Sequence, residues 1–252
     1  MLYGIRYFDA RALNKRKLAR VVVSLTTTPK RLLNIDETLK SLLDQSMQAN
    51  KIYLCIPYRF SKTGEPYIIP PYLQDLQSIE IVRCEDYGPA TKLLPVLNKV
   101  SHDNIIIYLD DDNIYPYRLI ETLVSASDKY PDSAICVEGL HFNKSALKTY
   151  KQVSALKVKK VDIVQGYAGV LVKPKYFSPE IFNYLHAPQE FFFNDDFWIS
   201  YHLAQNNIDR IQLAFNPKNV PIATKNFLID GLSTTVNANK NNESIMLQYW
   251  LS

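Results

Sequence analysis

Residues 104–116, with the sequence NIIIYLDDDNIYP, constrain the fold more than any other part of the chain. The Ile-Ile-Ile-Tyr-Leu run has the composition of a β-strand that is buried on both faces. Three consecutive aspartates, Asp110, Asp111 and Asp112, follow it directly. Because carboxylates are almost never fully buried unless they are paired or bound to a metal, the strand must end at these acids.

Strand and helix patterns alternate on both sides of this motif. Apolar runs typical of strands are separated by segments with helical spacing, which is the pattern of parallel βαβ units. With 252 residues, of which 47% are hydrophobic, the chain is long enough to bury one α/β core. The predicted strands are 21–25, 51–57, 79–84, 104–110, 134–139 and a longer strand within 161–177, and the predicted helices are 32–46, 88–100, 117–131 and 196–207.

The position of the aspartates predicts a ligand site. In an open α/β sheet, ligands bind at the carboxyl ends of the strands, and closely spaced aspartates there suit Mg²⁺ or Mn²⁺ bridging to substrate phosphates. On an extended backbone Asp110 and Asp112 point to the same side, whereas Asp111 points away, toward a sugar hydroxyl or a backbone amide. The alternative is an aspartate-rich turn that caps the next helix, although such a turn rarely needs three acids.

The segment EDYGPATKLLP, residues 85–95, places Asp86, Thr91 and Lys92 at the end of another predicted strand. Two loops on one edge of a sheet converge on the same crevice, and there Lys92 would act as a point charge for phosphate. Considered alone, Lys92 is more typical of a helix surface, and the prediction of a functional role rests on its position.

A second acidic cluster lies in NDDFWIS, residues 194–200. Asp195 or Asp196 would serve either as a general base for an acceptor hydroxyl or simply as an N-cap or first-turn charge of the next helix. The nearby Trp198 is interpreted as a sugar-ring platform or as core packing. QGYAG, with Gly166 and Tyr167, would form the neighbouring wall.

Absent motifs and the distribution of charge disfavour several classes of protein and partner. GxGxxG, the Walker phosphate loop, H-E-x-x-H and G-x-S-x-G are absent, which disfavours dehydrogenases, P-loop kinases, zinc proteases and serine hydrolases. Residues 1–20 carry a net charge of +5, and residues 144–175 contain eight lysines against one aspartate. We interpret the second stretch as a solvated surface and expect no nucleic-acid partner, while a peripheral membrane contact through the basic N-terminal segment stays open. No run of eighteen apolar residues occurs, so we expect a soluble, cytoplasmic protein.

Taken in order, six segments resemble the GT-A glycosyltransferases, particularly the family 2-like sugar transferases, over roughly residues 20–215. These segments are VVVSLTTTPKRL, the DQS that closes the first predicted helix, EDYGPATKLLP, IIYLDDDNIYP, QGYAGVLVKPKYF and FNDDFW. The resemblance implies a single α/β domain over residues 1–252, Rossmann-like, with a mostly parallel central sheet flanked by helices. It further implies a nucleotide-binding half at about 21–116, an acceptor-binding half at about 117–222, and a C-terminal tail or lid at about 223–252.

The resemblance also implies roles for individual residues. The nucleotide's base and ribose would contact the first βα loop and the acid after the third strand, and the diphosphate would lie near Lys92 with Mn²⁺ or Mg²⁺ on the aspartate motif. Asp112 would be the direct metal ligand, together with Asp110; no histidine follows His202, so water and phosphate would complete the metal shell. The implied site residues are Thr26, Thr27, Thr28, Asp86, Lys92, Asp110 and Asp111 for the donor, Asp196 or Asp195 as catalytic base, with Asp196 favoured, and Gly166, Tyr167 and Trp198 on the acceptor side.

We therefore expect a metal-dependent hexosyl- or N-acetylhexosaminyltransferase that moves a sugar, with inversion, from a nucleotide-diphosphate donor, foremost UDP. The acceptor hydroxyl would belong to a glycan, a lipid-linked molecule or a protein. A retaining GT-A transferase, a sugar nucleotidyltransferase, and an inactive sugar- or partner-binding module of the same fold remain alternatives.

Overall fold

The computed structural model describes residues 4–151, 157–229 and 241–252. Its α-helices are α1 (Ile5–Asn14), α2 (Asp36–Leu43), α3 (Pro71–Gln74), α4 (Leu94–Leu97), α5 (Leu119–Lys129), α6 (Asp195–Gln205) and α7 (Asn241–Leu251). Its strands are β1 (Lys17–Thr26), β2 (Gln48–Pro57), β3 (Ile79–Cys84), β4 (Ile105–Tyr108), β5 (Asn113–Ile114), β6 (Ser133–Cys136), β7 (Gly139–Asn143), β8 (Lys148–Tyr150), β9 (Lys159–Lys160), β10 (Ile163–Val164), β11 (Val170–Val172), β12 (Asp209–Gln212) and β13 (Ile222–Ala223).

The main sheet has eight strands in the order β3-β2-β1-β4-β11-β6-β12-β9. The pairs β3–β2, β2–β1, β1–β4 and β6–β12 are parallel, and β11 runs antiparallel to both β4 and β6. The predicted α/β fold with a mostly parallel central sheet is confirmed. Because β1 lies between β2 and β4, the chain changes direction across the sheet at β1, and a crevice opens at this point beyond the strand ends.

Both faces of the central strands are buried, as the apolar runs predict. Val23 and Ile107 pack into the core on the side of α1, α2 and α5, whereas Val22 and Ile106 pack on the other side, with residues of α4, α6 and α7. Because successive side chains of a strand point to opposite faces of the sheet, one continuous apolar run contributes residues to both cores.

Two elements that the sequence predicts as continuous are each divided in the structure. The helix predicted at 88–100 is a 3-10 turn (Ala90–Lys92) followed by the short α4, in a segment where Pro89 and Pro95 lack the amide hydrogen that a continuous helix needs. The long strand predicted within 161–177 is divided into β10 and β11, which belong to different sheets, by a 3-10 turn at Gly166–Ala168. Gly169 follows that turn with φ +101°, a backbone conformation that residues other than glycine rarely adopt.

The described C-terminal residues include two helical segments. The predicted tail or lid, at about 223–252, contains a 3-10 helix at Lys225–Leu228 and the helix α7. Residues 230–240 lie outside the described residues. Within the part of the chain that is described, no helix has the length and apolar character to cross a membrane.

Candidate functional site

A cavity of about 730 Å³ lies beyond the carboxyl ends of β1 and β4. Its lining comes from the loop after β1, the aspartate motif, the segment around Phe60 and Tyr67, the loop before α6, and the residues around β13. All the predicted donor and base residues line this cavity, as does Tyr167; these are Thr26, Thr27, Thr28, Asp86, Lys92, Asp110, Asp111, Asp112, Asp195 and Asp196.

Asp111 is the most enclosed member of the aspartate motif. Its carboxylate accepts a hydrogen bond from the Thr27 hydroxyl, and its Oδ1 lies 2.8 Å from Nη1 of Arg31. The Thr38 hydroxyl donates to the carbonyl oxygen of Asp111 at 2.8 Å, which ties the motif to α2. Burial raises the pKa of Asp111, and the Arg31 charge opposes that shift.

Asp112 has a less complete set of partners. Its Oδ1 accepts a hydrogen bond from the Asn113 side-chain amide at 2.8 Å, and its Oδ2 lies 3.3 Å from Nη2 of Arg31. Burial, together with the charges of Asp110 and Asp111, raises the pKa of Asp112 to about 7 despite the nearby guanidinium. The positive charge of Arg31 therefore offsets only part of the effect of burial and of the two neighbouring acids on Asp112.

Asp110 is placed by the aromatic residue Tyr115. The Tyr115 hydroxyl accepts the backbone N–H of Asp110 at 3.0 Å and lies 2.9 and 3.0 Å from the carbonyl oxygens of Asp110 and Tyr167. The Asp110 carboxylate forms an ion pair with Lys92. The phenol of Tyr115 thus joins the aspartate motif to the loop that carries Tyr167.

Lys92 connects the two acidic clusters. Its ammonium group pairs with Asp110 and also lies 2.9 Å from Oδ2 of Asp195, and its side chain is only 4% exposed. Burial alone would lower the pKa of Lys92, but Asp110, Asp195 and Asp196 together raise it. Both ion pairs of the ammonium group are with carboxylates, so Lys92 lies beneath the acids rather than on a helix surface.

Asp195 and Asp196 begin α6 but do not cap it. The N-cap is Asn194, whose side-chain oxygen accepts the N–H of Phe197. Oδ1 of Asp196 accepts the N–H of Gly166 at 2.8 Å, and burial, followed by the charge of Asp195, raises the pKa of Asp196 to about 8. A carboxylate with that pKa is a stronger base than an ordinary aspartate.

The acceptor-side residues are placed differently from one another. A Cβ atom at Gly166 would lie 2.8 Å from Nζ of Lys92, so glycine allows the Lys92 side chain to approach the backbone. Tyr167 lines the cavity, but the prediction that Trp198 contacts an acceptor sugar is wrong. Trp198 is 2% exposed, stacks on Tyr184 at 4.5 Å and donates to the Ile181 carbonyl at 2.8 Å, because its position on α6 faces the core.

The carboxylate of Asp86, one of the predicted donor residues, accepts hydrogen bonds from two backbone N–H groups. Its Oδ1 accepts the N–H of Gly88 at 2.8 Å and its Oδ2 accepts the N–H of Ser61 at 2.7 Å. The hydroxyl of Thr26 donates to the Cys55 carbonyl at 2.8 Å. These contacts fix the two loops that form this end of the cavity.

Several cavity residues were not singled out from the sequence. Arg31 lies in TTTPKR, and no local signal in the sequence links it to Asp111, which lies 80 positions later in the chain. Phe60 and Tyr67 come from the proline-rich segment after β2, to which no role was assigned, and Phe227 comes from the segment after β13. A smaller cavity of about 450 Å³, lined by Tyr184 and Gln189 among others, shares Ser61, Lys62, Phe192 and Phe193 with the main cavity.

The charges of the cavity fit a divalent cation. Six aspartates line it against three cationic side chains, Arg31, Lys62 and Lys92. No group of three or more His, Cys, Asp or Glu side chains within the described ranges is arranged as a metal site. A divalent ion in this cavity would therefore need water and ligand oxygens among its ligands, as Mg²⁺ usually has when it is bound with phosphates.

Comparison with known proteins identifies the family. A model of glycosyl transferase family 2 matches residues 26–167. Among solved structures, S. aureus TarS 1–349 in complex with UDP superimposes with a TM-score of 0.51 at 12% identity, covering 81% of this chain and 60% of that chain. A second structure of TarS 1–349 gives a TM-score of 0.48 at 13% identity, covering 84% of this chain and 61% of that one. The chain thus spans about 60% of the length of that solved structure.

No functionally curated protein shows significant similarity to the sequence. Since the matched segment exceeds half of the 252 residues and contains β2 to β10, the aspartate motif and Tyr167, the chain belongs to glycosyl transferase family 2.

Proposed function

We propose that the protein transfers a sugar from a nucleotide-diphosphate donor to an acceptor hydroxyl with inversion, in the presence of Mn²⁺ or Mg²⁺. One observation carries the proposal: the strand-end aspartates and the acidic pair of α6 line the same cavity and are joined by the buried Lys92. Family membership supports glycosyl transfer as the reaction class.

The donor would lie along the β1 and β4 ends of the cavity. Thr26, Thr27 and Thr28 with Asp86 would contact the nucleoside, and UDP is the first candidate because the similar TarS structure is a complex with UDP. A diphosphate brings further negative charge into a cavity in which aspartates already outnumber cations. Asp112 and Asp110 would hold the divalent ion, and the bound ion would stabilise the charge that develops on the leaving diphosphate.

The acceptor would be activated by Asp196. One carboxylate oxygen of Asp196 is fixed by the Gly166 amide, and the raised pKa, about 8, suits a group that must take a proton near neutral pH. As Asp196 takes the hydroxyl proton, the acceptor oxygen bonds to the anomeric carbon from the face opposite the diphosphate. The bond from that carbon to the diphosphate oxygen breaks, and a single displacement inverts the anomeric configuration. Asp195, which is paired with Lys92, would lie beside the base.

The first test is calorimetric titration of UDP with and without Mn²⁺. We expect the wild-type protein to bind UDP only with the metal, and Asp112→Asn to weaken that binding by at least about tenfold, or about 1.4 kcal/mol. Asp103→Asn is the matched control, because Asp103 is an exposed aspartate paired with Lys175 outside the cavity. Equal UDP affinity for Asp112→Asn and the wild type would contradict the assigned metal ligand.

The second test separates chemistry from binding. Asp196→Asn should keep the Mn²⁺-dependent affinity for UDP but lower the turnover of UDP-sugars by at least about 10²-fold, the usual contribution of a general base. Undiminished turnover would assign the base elsewhere, and NMR of the product anomer would distinguish inversion from retention. A wild-type protein that binds UDP and Mn²⁺ but releases no UDP from any UDP-sugar would instead be a binding module.

A further inference from the structure

We propose that Arg31 is a positioning residue that joins the aspartate motif to the segment 222–229, so that the metal-binding carboxylates and one wall of the donor cavity form a single unit. The inference rests on the proposed donor site. It concerns a residue for which neither the motifs nor the family match indicated a role.

The first half of the link is electrostatic. Nη1 of Arg31 lies 2.8 Å from Oδ1 of Asp111, and Nη2 lies 3.3 Å from Oδ2 of Asp112. The Arg31 side chain is 11% exposed, so both contacts are formed largely out of water, where charge-assisted bonds are strongest. The guanidinium therefore sets the relative orientation of two adjacent carboxylates.

The second half of the link runs to the C-terminal segment. Nε of Arg31 donates to the carbonyl oxygen of Ile229 at 2.6 Å, and the buried Asn226 side chain donates to the carbonyl oxygen of Arg31 at 3.0 Å. The same segment is tied to the motif directly, since the N–H of Thr224 donates to the carbonyl oxygen of Asp112 at 2.8 Å. In addition, β13 pairs with β5, the strand that follows the aspartates immediately.

The geometry favours positioning over direct contact with a ligand. Nε and Nη1 donate hydrogen bonds to Ile229 and Asp111, and Nη2 is ion-paired with Asp112. Lysine at this position would supply one point charge and could not reproduce three contacts in different directions. Arg31 would therefore act on the donor through Asp112 and through the wall formed by Ala223 and Phe227.

The test compares Arg31→Lys with Arg6→Lys, an identical substitution at an exposed arginine paired with Asp75. We expect Arg31→Lys to raise the Mn²⁺ concentration needed for half-maximal UDP binding by at least about tenfold. We also expect trypsin to cleave after the exposed Lys225 at least about tenfold faster, as identified by mass spectrometry, because opening of the segment becomes easier. Arg6→Lys should change neither quantity.

A second variant separates the two halves of the link. Asn226→Ala removes the hydrogen bond to the Arg31 carbonyl but leaves the guanidinium on the aspartates, so cleavage after Lys225 should accelerate while the Mn²⁺ requirement changes less than in Arg31→Lys. This variant also keeps the proposal testable if Arg31→Lys does not fold, as judged by urea denaturation.

Two outcomes would overturn the inference: an unchanged Mn²⁺ requirement in folded Arg31→Lys, or unchanged cleavage after Lys225 in both variants. A role confined to stability would lower the urea midpoint without altering the metal requirement. If the wild-type protein itself does not bind UDP with Mn²⁺, the proposed function fails, whereas the cleavage measurements still test the link between Arg31 and the segment.

Discussion

Replacement of Lys92 by methionine tests how far the acidic cavity depends on one buried cation. Methionine retains much of the side-chain volume but leaves the carboxylates of Asp110 and Asp195 without the ammonium group that pairs with both. Removal of one partner of a buried ion pair costs about 3–5 kcal/mol. Because the Asp110 side chain is 31% exposed, water offsets part of its loss, and we expect a destabilisation near the lower end, about 3 kcal/mol at pH 7.

The assay is urea denaturation of the metal-free protein at pH 7 and pH 5, with Lys99→Met as the matched control. Lys99 pairs with Glu80 at a site where both side chains are well exposed, so its loss should cost no more than about 1 kcal/mol. Burial raises the pKa of Asp195, and loss of Lys92 removes the main opposing charge. The variant's carboxylates should therefore protonate on acidification, and the difference from wild type should shrink at pH 5. Equal losses for both variants, or a larger Lys92→Met effect at pH 5, would refute the reasoning.

Three further predictions concern the same region. Because burial raises the pKa of Asp196 to about 8, the folded apo-protein retains a proton that the unfolded chain releases near pH 4, so stability should fall as the pH rises from 4 to 8. Asp196→Asn should flatten that profile in urea denaturation between pH 5 and 8, and an unchanged slope would assign the proton elsewhere. Gly166→Ala should displace Lys92, cost about 1–3 kcal/mol and lower turnover more than UDP affinity, as measured by denaturation and kinetics. Trp198→Phe should cost about 1–3 kcal/mol through its lost hydrogen bond and leave UDP affinity unchanged, whereas weaker UDP binding without destabilisation would contradict its place in the core.

The sequence predicts the sheet well where its signal is strongest. A strand buried on both faces needs an uninterrupted apolar run, so β1 and β4 were identifiable, and the end of β4 was marked by the change to aspartate. Residues 161–177 were misread because Ile163 and Val170 belong to runs of the same composition, and only Gly169 indicates the change of direction between them. Composition identifies a strand, whereas the choice of sheet depends on contacts far away in the chain.

Many residues that line the cavity could be singled out from the sequence, but their contacts could not. Acids at strand and helix ends were recognisable, since such positions rarely accumulate carboxylates without a reason. The partners of those acids were not, because Arg31 lies about 80 positions from Asp111, and nothing local links Lys92 to Asp195. For Trp198 the error was in the predicted role. An aromatic residue next to an acid looks the same in the sequence whether its ring faces a sugar or the core.

The position of β1 and β4 at the centre of the sheet has a consequence for how substrate preference can change within this architecture. The charged centre is built on strands that have neighbours on both sides, so its atoms tolerate little movement. The outer walls of the cavity, by contrast, come from the connection after β2, which carries Phe60, and from the turn before α6, which carries Phe192. Insertions or exchanges in these peripheral connections could therefore retune selectivity during evolution or engineering while the chemical step stays intact.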